Sequence, residues 1–179
     1  MKTNTVKGTY NFGYPLIDTD HQVWKFLENS WIYQGSGRAV ENRGDHNRFV
    51  LMGHILCEEG TAFDSHGEDA TIVIRKSAEL TGLVGIGATL HGASITNAGT
   101  IDVADFGIDL YATSSSVTNS GVIRSADYGM FVVGPDATIV NEKGGKILAA
   151  SIAIDVVADS GTTVFTNHGL VKAVDGWAY

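Results

Sequence analysis

Five side chains in the first two thirds of the chain have the types that act on polysaccharides: Arg43, Asp64, His66, Asp109 and Tyr111. A polyuronate lyase needs a base such as His or Tyr, and a cation to neutralise the substrate carboxylate. A glycoside hydrolase needs two carboxylates, one of them protonated. The five recur in step. One row reads Glu41, Asp64, Gly87, Asp109, Phe131, Asp155, and a second reads Arg43, His66, Thr89, Tyr111, Val133, Val157. Glu41, Phe131 and Asp155 would then line a binding groove beside the five catalytic candidates. Asp64 and Asp109 fall two repeats apart, about 9–10 Å if each repeat is one strand spacing, near the upper end for inverting hydrolysis. The plainer reading of such rows is a solvated face, since outward carboxylates need no function and repel when stacked. The turn Asp64-Ser65-His66-Gly67-Glu68-Asp69 is rich in oxygen donors and would suit calcium, but a polar loop explains it as well. No metal and no cofactor is therefore expected. There is no P-loop, no Rossmann glycine motif and no G-x-S-x-G elbow.

Such rows exist only if short strands stack, and the repeat supplies them. ITNAGTI begins at Ile95, VTNSGVI at Val117, IVNEKGGKI at Ile139 and FTNHGLV at Phe165. Weaker copies begin at Ile72, Phe49 and Phe26, so seven apolar anchors line up. A second apolar column runs Ile32, Ile55, Ala78, Ile101, Ile123, Ile147, Val171, with an insertion at Lys143-Gly144 before Ile147. A third runs Val40, Phe63, Ile86, Ile108, Met130, Ile154. Three short alternating segments per repeat, bounded by Gly, Ser, Asp or Asn, read as three strands joined by turns. Helical 3.6-periodicity is absent.

Asn97, Asn119, Asn141 and Asn167 recur at one corner. Asn tolerates left-handed backbone angles in a bend, and its amide can donate and accept along a stack, making a structural ladder. The glycine two residues on (Gly99, Gly121, Gly169) would relieve a Cβ clash. In the first three repeats Glu28, Leu51 and Ile74 take the asparagine's place.

The I/V-T-N-x-G-x-I phrase resembles the repeats of bacterial autotransporter passengers and filamentous-haemagglutinin-like adhesins. The resemblance is clear over 85–175 and inferable over 26–84. It implies an all-β, right-handed, single-stranded parallel β-helix of about seven coils of 22–26 residues. Handedness follows from that resemblance and from the general right-handed crossover preference. It also implies an extracellular or cell-surface setting, with cytoplasm left open. Secreted calcium-binding repeats are similar too, but their G-G-x-G-x-D run is missing. Residues 1–25, with Tyr10, Phe12, Tyr14 and Trp24, are expected to cap the first coil, and 26–179 to form the β-helix in one domain. DTDHQVWKFLEN reads as strand in preference to a short helix with Asp20 at its N-cap. At Gly176-Trp177-Ala178-Tyr179 either Trp177 caps the stack or further chain follows.

The formal charge of −8 argues against nucleic acid, which demands a basic patch. No apolar run is long enough to span a membrane, and MKTNTVKGTY carries no signal-peptide core. Cys57, alone in the chain, cannot form an intramolecular disulfide and reads as a core residue. The leading expectation is a non-catalytic surface module that binds polysaccharide or a cell-surface protein. The alternative is a lyase or hydrolase acting on an acidic polysaccharide. A third is a structural scaffold, a homo-oligomer built through helix ends or faces.

Overall fold

The computed structural model describes residues 1–157 and 161–178, and among them all regular structure is β. Three columns of parallel strands wind into about seven turns. The first column stacks the start of β2 (Gln22–Asn42), then β3 (Arg48–Leu51), β5 (Thr71–Ile74), β7 (Ser94–Asn97), β9 (Ser116–Asn119), β12 (Thr138–Asn141) and β15 (Val164–Asn167). The second stacks the middle of β2 with β4 (His54–Ser65), β6 (Glu79–Ala88), β8 (Thr100–Tyr111), β10 (Val122–Ser125), β13 (Lys146–Ala149) and β16 (Leu170–Ala173). The third follows the ends of β2, β4, β6 and β8, which turn a corner without breaking, and continues as β11 (Tyr128–Val133) and β14 (Ile152–Val157). This is a parallel β-helix.

Alternation explains the core. In each strand every second side chain points inward, so one apolar residue per face per turn stacks on its equivalents above and below. Val40, Phe63, Ile86, Ile108, Met130 and Ile154 pair rung to rung as the repeat predicts, and all are buried.

Two column positions shift by two residues. Trp24, not Phe26, pairs with Phe49, and Phe26 pairs with Leu51. Leu80, not Ala78, pairs with Ile55. The corner between the first two columns thus carries extra residues in three coils, where the sequence reveals only the insertion at Lys143-Gly144. It also follows that Phe26, Leu51 and Ile74, rather than Glu28, occupy the asparagine column in the early coils.

The asparagines form the ladder expected of them. Asn97 Nδ2 donates to Asn119 Oδ1 at 2.9 Å, Asn119 to Asn141 at 2.9 Å, and Asn141 to Asn167 at 2.8 Å. Their backbone differs from the expectation: they end strands, and the left-handed residues lie at another corner. His21, His46, Asp69, Ser114 and Asp136 have φ of 51–60°, and Gly92 and Gly161 complete that column at 75° and 78°. Asp and Asn are the non-glycine residues most tolerant there. The glycines beside the ladder serve close approach instead, since a Cβ on Gly121 would lie 2.2 Å from the Gly99 carbonyl of the coil below. The early coils, lacking the ladder, hold a separate buried polar knot in which Asn42 Nδ2 donates to Ser65 Oγ and Asn47 Nδ2 donates to Asn42 Oδ1, each at 3.0 Å.

The segment before Gln22 covers the first coil as a rung of its own, whereas Gln22–Lys25 already belong to that coil. β1 (Lys2–Tyr10) pairs in parallel with β2, Val6 is buried against Phe26, and Tyr14 packs edge-on to Trp24 and Phe26. Phe12 takes no part, being 93% exposed. From Gln22 the DTDHQVWKFLEN segment is strand. At the other end Trp177 pairs its backbone with Ile152, while its indole is 75% exposed and seals nothing. Tyr179 lies outside the described residues. No helix among the described residues is long and apolar enough to cross a membrane.

Candidate functional site

The third face aligns both rows in register. Glu41 pairs with Asp64, Asp64 with Gly87, Gly87 with Asp109, Asp109 with Phe131 and Phe131 with Asp155. Tyr111, Val133 and Val157 pair likewise two residues on. Along this face the candidate residues gather into two groups, with the Gly87–Thr89 rung between them.

The first group is a closed ionic cluster. Asp64 Oδ2 accepts from the Arg38 Nε–H and lies 3.0 Å from His66 Nε2. His66 Nδ1 sits 2.8 Å from Thr89 Oγ1, so both ring nitrogens are engaged. Arg43 Nη2 lies 2.8 Å from Glu41 Oε1. Asp64, although it points outward, is only 6% exposed beneath these partners. That departs from the water-facing position the alternation suggests. Each cation faces a neighbouring carboxylate, while the Arg38 and Arg43 side chains stay 44% and 55% exposed.

The second group centres on Asp109. Its Oδ1 is buried without a hydrogen-bond partner among the described residues. Burial, then Asp105, then Asp64 raise its carboxyl to about 6, since each disfavours the charged form. Around it lie four aromatic rings. Phe106 and Tyr128 stack at 5.0 Å, Phe131 packs against both, and Tyr111 meets Phe131 edge-on at 5.6 Å. Tyr111 is 47% exposed. Burial and then Asp109 push its phenol up from the ordinary value, which makes it a poor base at neutral pH.

A family model matches residues 17–175, and its description is the BigA third pectate lyase-like domain. The chain belongs to this family. No curated protein and no solved structure matches the chain. The family model supports the β-helix and leaves the likeness to autotransporter and adhesin repeats at the level of the repeat alone.

In this BigA-type domain, residues outside the predicted rows complete the site. Arg38, Phe106 and Tyr128 belong to a third outward row, Arg38, Thr61, Val84, Phe106, Tyr128, Ile152. It lies three residues before the Asp row and not two, because Ala39 with Val40, and Ala62 with Phe63, both turn inward at the corner. Counting by twos back from Glu41 reaches buried Ala39, so strand periodicity passes over Arg38. The recurring small residues Ala39, Ala62, Gly85, Gly107, Gly129 and Ala153 were the available signal.

The Asp64–Asp69 turn shows no ligand set: among the described residues no three His, Cys, Asp or Glu converge on a metal site. A shallow depression of about 340 Å³ adjoins Tyr111, lined by Thr89, Leu90, His91, Thr113 and Val133. Gly87 keeps the space between the two groups open, as a Cβ there would lie 2.7 Å from Asp64 Oδ1.

Proposed function

We propose that this BigA-type domain binds a neutral glycan along its third face without turning it over. The reading rests above all on the half-exposed Tyr111, braced by Phe131 and standing beside the partly exposed Asp109 carboxylate. Aromatic rings take the apolar face of a sugar, and a carboxylate accepts from its hydroxyls. Charge decides the ligand class. Glu41, Asp64, Asp105, Asp109 and Asp155 make the face acidic, and its arginines pair with Glu41 and Asp64. A polyuronate would be repelled and would find no unpaired cation, which speaks against lyase action. A secreted or surface setting belongs to the same proposal.

Titration calorimetry against neutral oligosaccharides and polygalacturonate tests this. A neutral glycan binds, polygalacturonate does not, and Tyr111→Ala weakens binding at least tenfold, about 1.4 kcal/mol, with an unchanged melting temperature. Failure of every neutral glycan to bind overturns the reading.

A second reading, inverting hydrolysis, has one observation in its favour. Asp109 is the carboxyl that keeps its proton up to about pH 6, and Asp64 stands two rungs away. New reducing ends from a neutral glycan, abolished in Asp109→Asn, would establish it. Binding without new reducing ends would exclude it.

A further inference from the structure

The second face carries a pattern that mirrors the third. Arg124, Leu148 and Lys172 pair rung to rung and form an outward row of base, apolar, base. On the third face Asp109, Phe131 and Asp155 form a row of acid, apolar, acid. Both rows step one coil at a time, so their spacings agree: about 4.8 Å per rung and about 9–10 Å between the charges. A single placement therefore brings both charge pairs and both apolar residues together. Beside the basic row, Lys146 adds a third cation, and Leu170 and Val174 extend the apolar surface of a groove of about 490 Å³. Of the four Lys or Arg residues beyond position 90, three lie on this patch of an otherwise acidic chain.

The partners are available. Lys146 and Lys172 are exposed and have no ion pair among the described residues, and Arg124 has one exposed pair, with Asp102 at 2.7 Å. Such a pair contributes little and exchanges readily. Opposite them, Asp109 and Asp155 are partly exposed, and neither has an ion pair among the described residues.

We propose that the domain associates side by side with a second copy of itself, the Arg124–Leu148–Lys172 row of one copy docking on the Asp109–Phe131–Asp155 row of the next. The contact is heterologous, each copy offering one row and receiving the other, so it builds rings or open chains. It uses the face proposed for glycan, and ligand and second copy compete there.

Sedimentation velocity over a concentration series tests this without any glycan. The wild-type protein associates at low ionic strength and less at high, as screening requires. Arg124→Glu with Lys172→Glu, both at exposed positions, weakens association at least tenfold, and so does Asp155→Lys at a partly exposed one. Mixing the two variant proteins restores association as a one-to-one dimer, because the first keeps an intact acidic row and the second an intact basic row. A wild-type monomer throughout the low-salt series overturns the proposal. So does association that survives both charge reversals, or two folded variants that fail to recover on mixing.

Discussion

Asn119→Ala is expected to lower the stability of the fold by about 3 kcal/mol. Asn119 is wholly buried in the middle of the ladder, donating to Asn141 and accepting from Asn97. Truncation strands one Asn97 N–H, the other still reaching the Val122 carbonyl, and the Asn141 carbonyl oxygen in the core, at roughly 1–3 kcal/mol for each buried group left unpaired. In a chain of this size 1 kcal/mol moves the melting temperature by about 2–4 °C, so thermal unfolding should shift down by about 6–12 °C. Asn167→Ala is the internal control. Asn167 ends the ladder at an exposed position and mainly accepts from Asn141 and from the Gly169 N–H. Water can replace it, and its loss should stay near 1 kcal/mol. Equal effects at the two positions would mean that the ladder contributes no more than ordinary side-chain packing. That early coils manage with Phe26, Leu51 and Ile74 in the same column is consistent with this energetics: an apolar column strands nothing, whereas a gap in a polar one does.

Asp109→Asn is expected to stabilise the protein at pH 8 and to leave it unchanged at pH 4. The folded state holds the Asp109 carboxyl at about 6, above the ordinary 3.8. A raised carboxyl binds its proton more tightly in the folded than in the unfolded chain. Its favourable contribution is complete below the unfolded value and is lost as pH rises through about 6. Above that the folded state must hold an ionised, half-buried carboxylate near Asp105 and Asp64. At about 1.4 kcal/mol per unit, reduced for partial solvent access, the penalty is about 1–2 kcal/mol. Asparagine keeps the shape and removes the charge. Denaturant unfolding across pH 4–8 should show the wild-type and variant curves together at acid pH and apart above pH 6. Parallel curves throughout would show that Asp109 titrates normally in the folded protein. Any ligand that needs the neutral carboxyl as a donor would bind the wild-type domain better below pH 6.

The unequal legibility of site and fold has one origin, the period of two along a strand. The parallel β-helix, its three columns, the ladder from Asn97 to Asn167 and the row from Glu41 to Asp155 were all determined by the sequence. An apolar or asparagine residue at fixed spacing is needed in every coil, and repetition makes the requirement visible. The slips at Phe26 and Ala78 were hidden because a shift of two residues returns a side chain to the same face, so both registers look equally apolar. Arg38, Phe106 and Tyr128 were hidden for the opposite reason: at the corner two consecutive residues turn inward, and the alternation changes phase. What only the tertiary structure decided is electrostatic. Asp64 and Asp109 occupy equivalent positions in one row, yet Arg38 and His66 close over the first, while aromatic rings and Asp105 surround the second. Those neighbours come from other rungs and other rows, and a carboxylate's charge state is set by what surrounds it in space, to which its place in the repeat is no guide.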